Sequence, residues 1–432
     1  MHEACSREET MAKLLIIADD FTGALDTGVQ LSEKDISTQV LVHGDIDWSQ
    51  VSEETEVLVV NTESRHLDAQ KAYNEVFELC KNARENGVKY IYKKTDSTLR
   101  GNIGAELSAL MDACNLEKLF FVPAYPEEGR ITKKGYQYVD GILLNETIFA
   151  KDPLNPVDDA YIPSIIRKQT DKAVYSIDSS VINQKNSLYN KRGIIVIDAA
   201  DEKDMVMISQ SLTQHQDIIG IAGCAGFAPY LSEIFDLKTK AGLKRKLSID
   251  RPILLVCGSV NELSVTQVSY AEKAGIKSLT LDFDLLLRDS YLDSPEYENQ
   301  IIASLRNLND HGIFILKTVG GKRDIGSVIE KAKKLPEEDL YNRITRSIGL
   351  LVRGIMQRIQ IGTLIIFGGD TALGIVKQLN CKTIQPGYEL LPGIPISFIK
   401  SSLFRGPLIT KAGGFGNEKT LIDIITYIEE DM

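Results

Sequence analysis

The sequence predicts an α/β protein of two domains, each a mostly parallel sheet flanked by helices, with the active site in the cleft between them. Short apolar, β-branched runs alternate with helix-period segments, as in successive βαβ units. The chain has 432 residues, too many for one ordinary core. A basic stretch ending in Pro252, "LKTKAGLKRKLSIDRP" (237–252), separates two such series and reads as the linker. The expected domains are residues 11–240 and 250–432.

In the first series "KLLIIA" (13–18), "TQVLVH" (38–43), "EVLVVN" (56–61), "KYIYKK" (89–94) and "KLFFVP" (118–123) read as strands. Helical periodicity runs through 22–33, 68–87 (ending at Gly87) and 101–114. The segment 124–157 breaks the rhythm and reads as an irregular functional loop or flap, or a solvated insertion. Strand patterns return at "GIIVIDA" (193–199) and "DIIGIAG" (217–223). The second series carries "ILLVCGS" (253–259), "FILKT" (314–318) and "TLIIFGG" (363–369), with a long helix around 342–359.

Composition narrows the function. Hydrophobic residues make up 43% and charged residues 25%, values of a globular protein. A net charge of −11 argues against non-specific nucleic-acid binding, though not against a local basic pocket for a small anion. Six scattered cysteines without a C-x-x-C pair, and five histidines without a ligand pattern, argue against a disulfide framework or zinc site and fit a reducing cytoplasm. No apolar run reaches a membrane span, and "MHEACSREETMAK" lacks the apolar core of a signal peptide. Met11, just before the first strand, is a candidate start.

Ligands of open parallel sheets sit beyond the strand carboxyl ends. Three such ends carry chemistry in the first half. They are Asp19-Asp20, "NTESRH" with Arg65, and "KKTDSTLRGNIG" with Lys94, Thr95, Asp96, Ser97, Thr98 and Arg100. Arginine clamps a carboxylate with two parallel bonds, and aspartate accepts from sugar hydroxyls, so a small polyhydroxylated anion suits the set. Each piece has a plainer reading: Asp19, Asp20 or Thr22 caps one helix, and Asp96 or Ser97 caps another. Successive strand side chains face opposite ways. Asp20 is therefore assigned to the crevice and Asp19 to capping or bracing the helix.

The second half offers three glycine-bearing turns: "VCGSVNELSVTQV", "IIFGGDTALGIVKQL" and "ITKAGGFGNEKTL". Glycine lets backbone approach a phosphate, and helix N-termini hold it. "GGFGNEKT" is not a P-loop, because Glu418 precedes Lys419, and no GxGxxG fingerprint occurs there. A sugar-acid pocket and a phosphate cradle together suggest phosphoryl transfer in a cleft that closes to exclude water. The rivals are a non-catalytic sugar-acid or nucleotide sensor and a nicotinamide-dependent dehydrogenase; the latter lacks its fingerprint.

"IADDFTGALD", "KKTDSTLRGNIGAEL", "VPAYPEEGRITKKGYQYVDG" with "DPLNPV", "CGSVNELSVTQV", "FGGDTALGI" and "KAGGFGNEKTL" together resemble the four-carbon acid sugar kinase family over about residues 14–421. The resemblance implies ATP-dependent phosphorylation of the 4-hydroxyl of a four-carbon sugar acid. It implies substrate contacts at Asp20, Arg65 and Lys94 to Thr98, and ATP contacts at Ser259, Gly368, Gly369, Asp370, Thr371 and Gly413. "TLRGN" with Arg100 resembles the threonate and erythronate kinases; in the 3-oxo-tetronate kinases this segment reads nearer "YCSTFDST". Arg65, with Lys94 or the Ser97 and Thr98 hydroxyls, is expected to hold the carboxylate. Asp20, with Asp96 as competitor, is expected to orient the 4-hydroxyl or act as base. Mg²⁺ is expected with ATP, with Asp370 in its water shell. The partners are the sugar acid and ATP, and a homo-oligomer is compatible with the sequence.

Overall fold

In the computed structural model the described residues are 12–44, 46–152, 155–181, 191–215, 217–240, 250–332 and 337–430. The middle of the expected linker, 241–249, and Met11 lie outside them. The chain folds as two compact units, Met1–Leu243 and Lys244–Met432.

The first unit begins β1 (Leu14–Ala18), α1 (Phe21–Ser32), β2 (Thr38–Leu41), β3 (Val57–Asn61), α2 (Ala69–Glu85), β4 (Tyr90–Lys94), α3 (Ile103–Ala113) and β5 (Lys118–Val122). After β6 (Arg130–Lys133), β7 (Tyr136–Val139) and β8 (Ile142–Leu143) come α4 (Ile162–Arg167), β9 (Val174–Ile177), β10 (Gly193–Ile197), α5 (Glu202–Thr213), β11 (Gly220–Gly223) and α6 (Leu231–Ile234). Its parallel strands lie in the order β2-β3-β1-β4-β11-β5-β10-β9. Helices cover such a sheet on both faces, so β1, β3 and β10 are buried at every position. Leu15, Ile17, Leu58, Val60 and Ile91 form its core with Val76 and Leu79 of α2 and Leu107 and Leu110 of α3.

The segment 124–157 departs from the irregular loop expected. It contains the antiparallel sheet β6-β7-β8. Lys134 and Gly135 (φ 51° and 75°) join β6 to β7, and Asp140 and Gly141 (φ 51° and 80°) join β7 to β8. Two left-handed residues in a two-residue loop match the right-handed twist of a hairpin. The Asp-Gly pair was a legible signal, but the strands are too short to show a period. The Asp198 carboxylate just after β10 accepts from the amides of Lys134 and of Gly135, the latter at 2.9 Å, so the first hairpin tip is tied to the main sheet.

The second unit runs β12 (Ile253–Cys257), α7 (Glu262–Lys273), β13 (Ser278–Thr280), α8 (Phe283–Leu286), α9 (Pro295–His311), β14 (Ile313–Lys317), α10 (Ile325–Ala332), α11 (Glu337–Met356), β15 (Thr363–Phe367) and α12 (Gly369–Gln378). It finishes with β16 (Thr383–Leu391), β17 (Ile394–Lys400), β18 (Arg405–Lys411) and α13 (Thr420–Glu430). Its strand order is β13-β14-β12-β15-β18-β17-β16. β17 is antiparallel to both its neighbours, while β18 returns parallel to β15. The sequence reading missed β16 and β17 because Pro386, Pro392 and Pro395 interrupt the pattern; Pro386 falls where the β16–β17 register shifts.

Candidate functional site

β1 lies between β3 and β4, with Ala18 in register with both Asn61 and Lys94. The three chemistry-bearing strand ends therefore stand side by side. Arg65, in the single turn after β3, is nearly buried and reaches Asp19 through Nε (2.7 Å) and Asp20 through Nη2 (2.7 Å), with Asp96 at 3.8 Å. Lys94 Nζ reaches Asp19 (3.2 Å) and Asp20 (3.0 Å). The two adjacent carboxylates thus share two cations, which is why the chain ends a buried strand with both.

The expected division of the pair is corrected in part. Asp20, not Asp19, caps α1: its carboxylate accepts from the Gly23 amide (3.2 Å) and the Thr22 hydroxyl (2.9 Å). Asp19 is 2% exposed and braces Arg65 and Lys94, whereas the Asp20 side chain keeps 22% exposure. Burial opposes ionisation of Asp20, but Arg65 and Lys94 outweigh it and hold the carboxyl well below its ordinary range. Burial likewise opposes the charge on Lys94, and Asp19 and Asp20 hold that ammonium above its usual value.

Asp96 belongs to the same cluster. It accepts from Arg100 Nε (2.7 Å), the Arg100 amide (3.3 Å) and the Thr98 hydroxyl (2.5 Å). Burial opposes its charge, yet Arg100 and Arg65 hold the carboxyl well below the usual range. Neither Asp96 nor Ser97 caps α3, whose N-cap is Asn102. Arg100 also reaches Asp152 (3.2 Å). Thr95 is turned from the cluster: its amide and hydroxyl both bond the Gly223 carbonyl, at 2.7 and 3.3 Å. Ser97 is half-buried, and Gln137 of β7 donates to its carbonyl at 2.8 Å, so the small sheet fixes this loop.

The sequence reading missed a second layer. Lys93 and Glu106 form an ion pair at 3.0 Å, both side chains fully buried. Ser64 donates to Glu106, and Lys93 donates to the carbonyls of Ile17 (3.2 Å) and Lys94 (2.7 Å). This pair ties α3, β1, β4 and the turn after β3 together beneath the cluster. Burial raises the Glu106 carboxyl despite Lys93. Its only signal in the sequence was an acid inside an apolar helix.

In the second unit β12, β15 and β18 are neighbours, with Cys257, Phe367 and Lys411 in register at their ends. The three glycine turns converge there. A Cβ on Gly258 would lie 2.0 Å from Thr371 Oγ1, and one on Gly413 would lie 3.0 Å from Asn261 Cβ and 3.3 Å from Ser259 Oγ. Gly368 (φ 114°) bonds the Lys411 carbonyl through its amide at 3.0 Å. Gly369 and Asp370 open α12. Ser259, Gly368, Gly369, Asp370, Thr371 and Gly413 are thus brought together around the starts of α7 and α12 and the loop after β18, where amides and helix dipoles favour an anion.

Residues 14–231 match the model of a sugar-binding N-terminal domain, and residues 254–421 that of a nucleotide-binding C-terminal domain. D-threonate kinase of Salmonella typhimurium is 33% identical over 97% of this chain and 99% of its own. D-erythronate kinase of Heliobacterium modesticaldum is 28% identical, covering 97% of each chain. A solved structure from Salmonella typhimurium LT2 shares the fold at a TM-score of 0.78 and 21% identity, over 96% of this chain and 98% of that one. The two units thus define a kinase that joins a sugar-binding to a nucleotide-binding domain, an ATP-dependent phosphotransferase. The chain belongs to the four-carbon acid sugar kinase family.

Proposed function

We propose that the protein phosphorylates the 4-hydroxyl of D-threonate or D-erythronate with Mg·ATP in the cytoplasm, residues 11–240 holding the acid and 250–432 the nucleotide. The observation that carries this reading is the cluster of Asp20, Arg65, Lys94 and Asp96 at three adjacent strand ends. Arg65 and Lys94 supply positive charge for the substrate carboxylate, with the Ser97 and Thr98 hydroxyls beside them. Asp20, the more exposed of the first pair, accepts from the 4-hydroxyl and aims it. A carboxylate held so far below its usual range is a weak base. Phosphoryl transfer through a loose transition state asks chiefly for positioning and charge neutralisation, so orienting the hydroxyl is the larger part of the task. Asp96 remains the competitor for proton acceptance.

Ser259, Gly368 to Thr371 and Gly413 would hold the phosphates. Among the described residues no group of three His, Cys, Asp or Glu side chains could hold a metal ion by itself. A magnesium ion carried on the phosphates fits that donor set, since it keeps most of its waters. Asp370, exposed in the first turn of α12, would hold it through that shell. When bound, the ion neutralises phosphate charge.

Coupled ADP release with D-threonate, D-erythronate, their L isomers and 3-oxo-tetronate tests the reading. Turnover of the D-acids is expected. Preference for the 3-oxo acid would favour the alternative, a 3-oxo-tetronate 4-kinase, and binding without ADP release would favour a sensor.

A further inference from the structure

Lys411 is a fully buried lysine at the end of β18 with an unusual set of partners. Its Nζ contacts Ala412 O (2.9 Å), Gly413 O (3.2 Å), Phe415 O (3.3 Å) and the Ser264 hydroxyl (3.2 Å). Its ammonium also lies 4.8 Å from the centre of the Phe367 ring. Among the described residues no carboxylate pairs with it. Burying a charge without a counter-charge is costly, so the fold must gain something from keeping it there.

The gain is in the direction of the loop amides. A planar trans peptide points its N–H opposite to its C=O. With the carbonyls of Ala412, Gly413 and Phe415 turned in to the ammonium, the amides of Gly413, Gly414 and Gly416 turn away from it. Gln267 of α7 strengthens the same arrangement by donating to Phe415 O (3.1 Å) and Asn417 O (2.8 Å). Among the described residues no group accepts from those three glycine amides. Successive unpaired amides on one side of a loop make an anion-binding concavity, and the charge behind it adds attraction.

We infer that Lys411 is a positioning residue for the nucleotide: its buried ammonium gathers the carbonyls of loop 412–416 and so presents the amides of Gly413, Gly414 and Gly416 to an ATP phosphate. This rests on the nucleotide reading of that site. Burial pulls the ammonium down to about 8, so its charge is titratable in the folded protein. The groups facing it are Ser264 from α7, the Phe367 ring from β15 and the Cys257 thiol from β12, which burial pushes up to about 11. Lys317, at the end of β14, acts on Cys257 and is held by Glu272 at 2.5 Å.

Calorimetric titration of the full chain with Mg·AMP-PNP and, separately, with D-threonate tests the inference. Lys411→Met is expected to weaken the nucleotide tenfold or more and leave threonate affinity unchanged. In the wild type, nucleotide affinity is expected to fall severalfold between pH 7 and 9.5, while the variant shows a flat profile. The wild-type profile needs no substitution, so a flat one overturns the role even if the variant does not fold. Equal nucleotide affinity in the two proteins, or a wild-type affinity constant over that pH range, would overturn the role of Lys411 alone. A wild type that binds threonate but no nucleotide at any pH would overturn the nucleotide reading, and this inference with it.

Discussion

The Cβ that Gly23 lacks would lie 1.8 Å from Lys94 Nζ and 2.4 Å from Asp20 Oδ1. The missing side chain in the first turn of α1 is therefore the space in which Lys94 meets Asp20. Gly23→Ala improves helix propensity by about 1 kcal/mol, yet it should push the ammonium off the carboxylate. The expected result is a KM for the sugar acid raised tenfold or more, with ATP binding unchanged in calorimetry. An unaltered KM would show that Lys94 does not need this position.

Arg65→Lys keeps the charge and loses the planar fork that spans Asp19 and Asp20. Losing one charge-assisted bond of ~1.5–3 kcal/mol should weaken the apparent affinity for the acid on the order of tenfold or more. Steady-state kinetics read this directly, and an unchanged KM removes Arg65 from the substrate site.

Asp19→Asn and Asp20→Asn should separate by property. Asp19 is the buried brace of two cations, so its neutralisation should cost stability of about 3 kcal/mol. Asp20→Asn retains a good cap, because Asn caps as well as Asp. The protein should stay folded while kcat falls, ~10²-fold or more if Asp20 acts as general base. Thermal melts and kinetics compare the two. Normal turnover in both variants would direct attention to Asp96.

Gly413→Val places a branched side chain against Asn261 and Ser259. It should abolish ATP binding in calorimetry while the sugar acid still binds. Equal loss of both ligands would indicate misfolding, and normal ATP binding would refute the assignment.

The depressed carboxyls predict an acid limit. Asp20 and Asp96 lie below their ordinary 3.8 in the folded protein. Their contribution to stability is therefore complete above that value and declines as pH falls below it toward the folded values. Glu106 has the opposite sign: its carboxyl is raised above 4.5, so its contribution is complete below that value and lost as pH rises through the folded one. Thermal melts of Asp96→Asn between about pH 5 and pH 2 should therefore decline less steeply than those of the wild type. A parallel decline would remove Asp96 from the linkage.

The sequence by itself determined the parallel α/β class, most strands of the first half and the three strand ends that bear charge. Buried parallel strands are unbroken apolar runs, and the polar residue that ends each run, such as Asp19 or Lys94, marks the carboxyl end where ligands sit. The helix over 22–33 was legible from its period, but its start at Phe21 and the caps at Asn261 and Gly368 were not. Only the tertiary structure decided which of two adjacent aspartates is the cap and which the brace, because that depends on where Arg65 and Lys94 arrive from strands 46 and 75 residues away in sequence. It also decided that Lys93 with Glu106, and Lys411 with its ring of carbonyls, are buried. A charged residue at a strand end looks the same in sequence whether it meets solvent, a counter-ion or a backbone loop; long-range packing chooses among them, and local pattern carries no record of that choice.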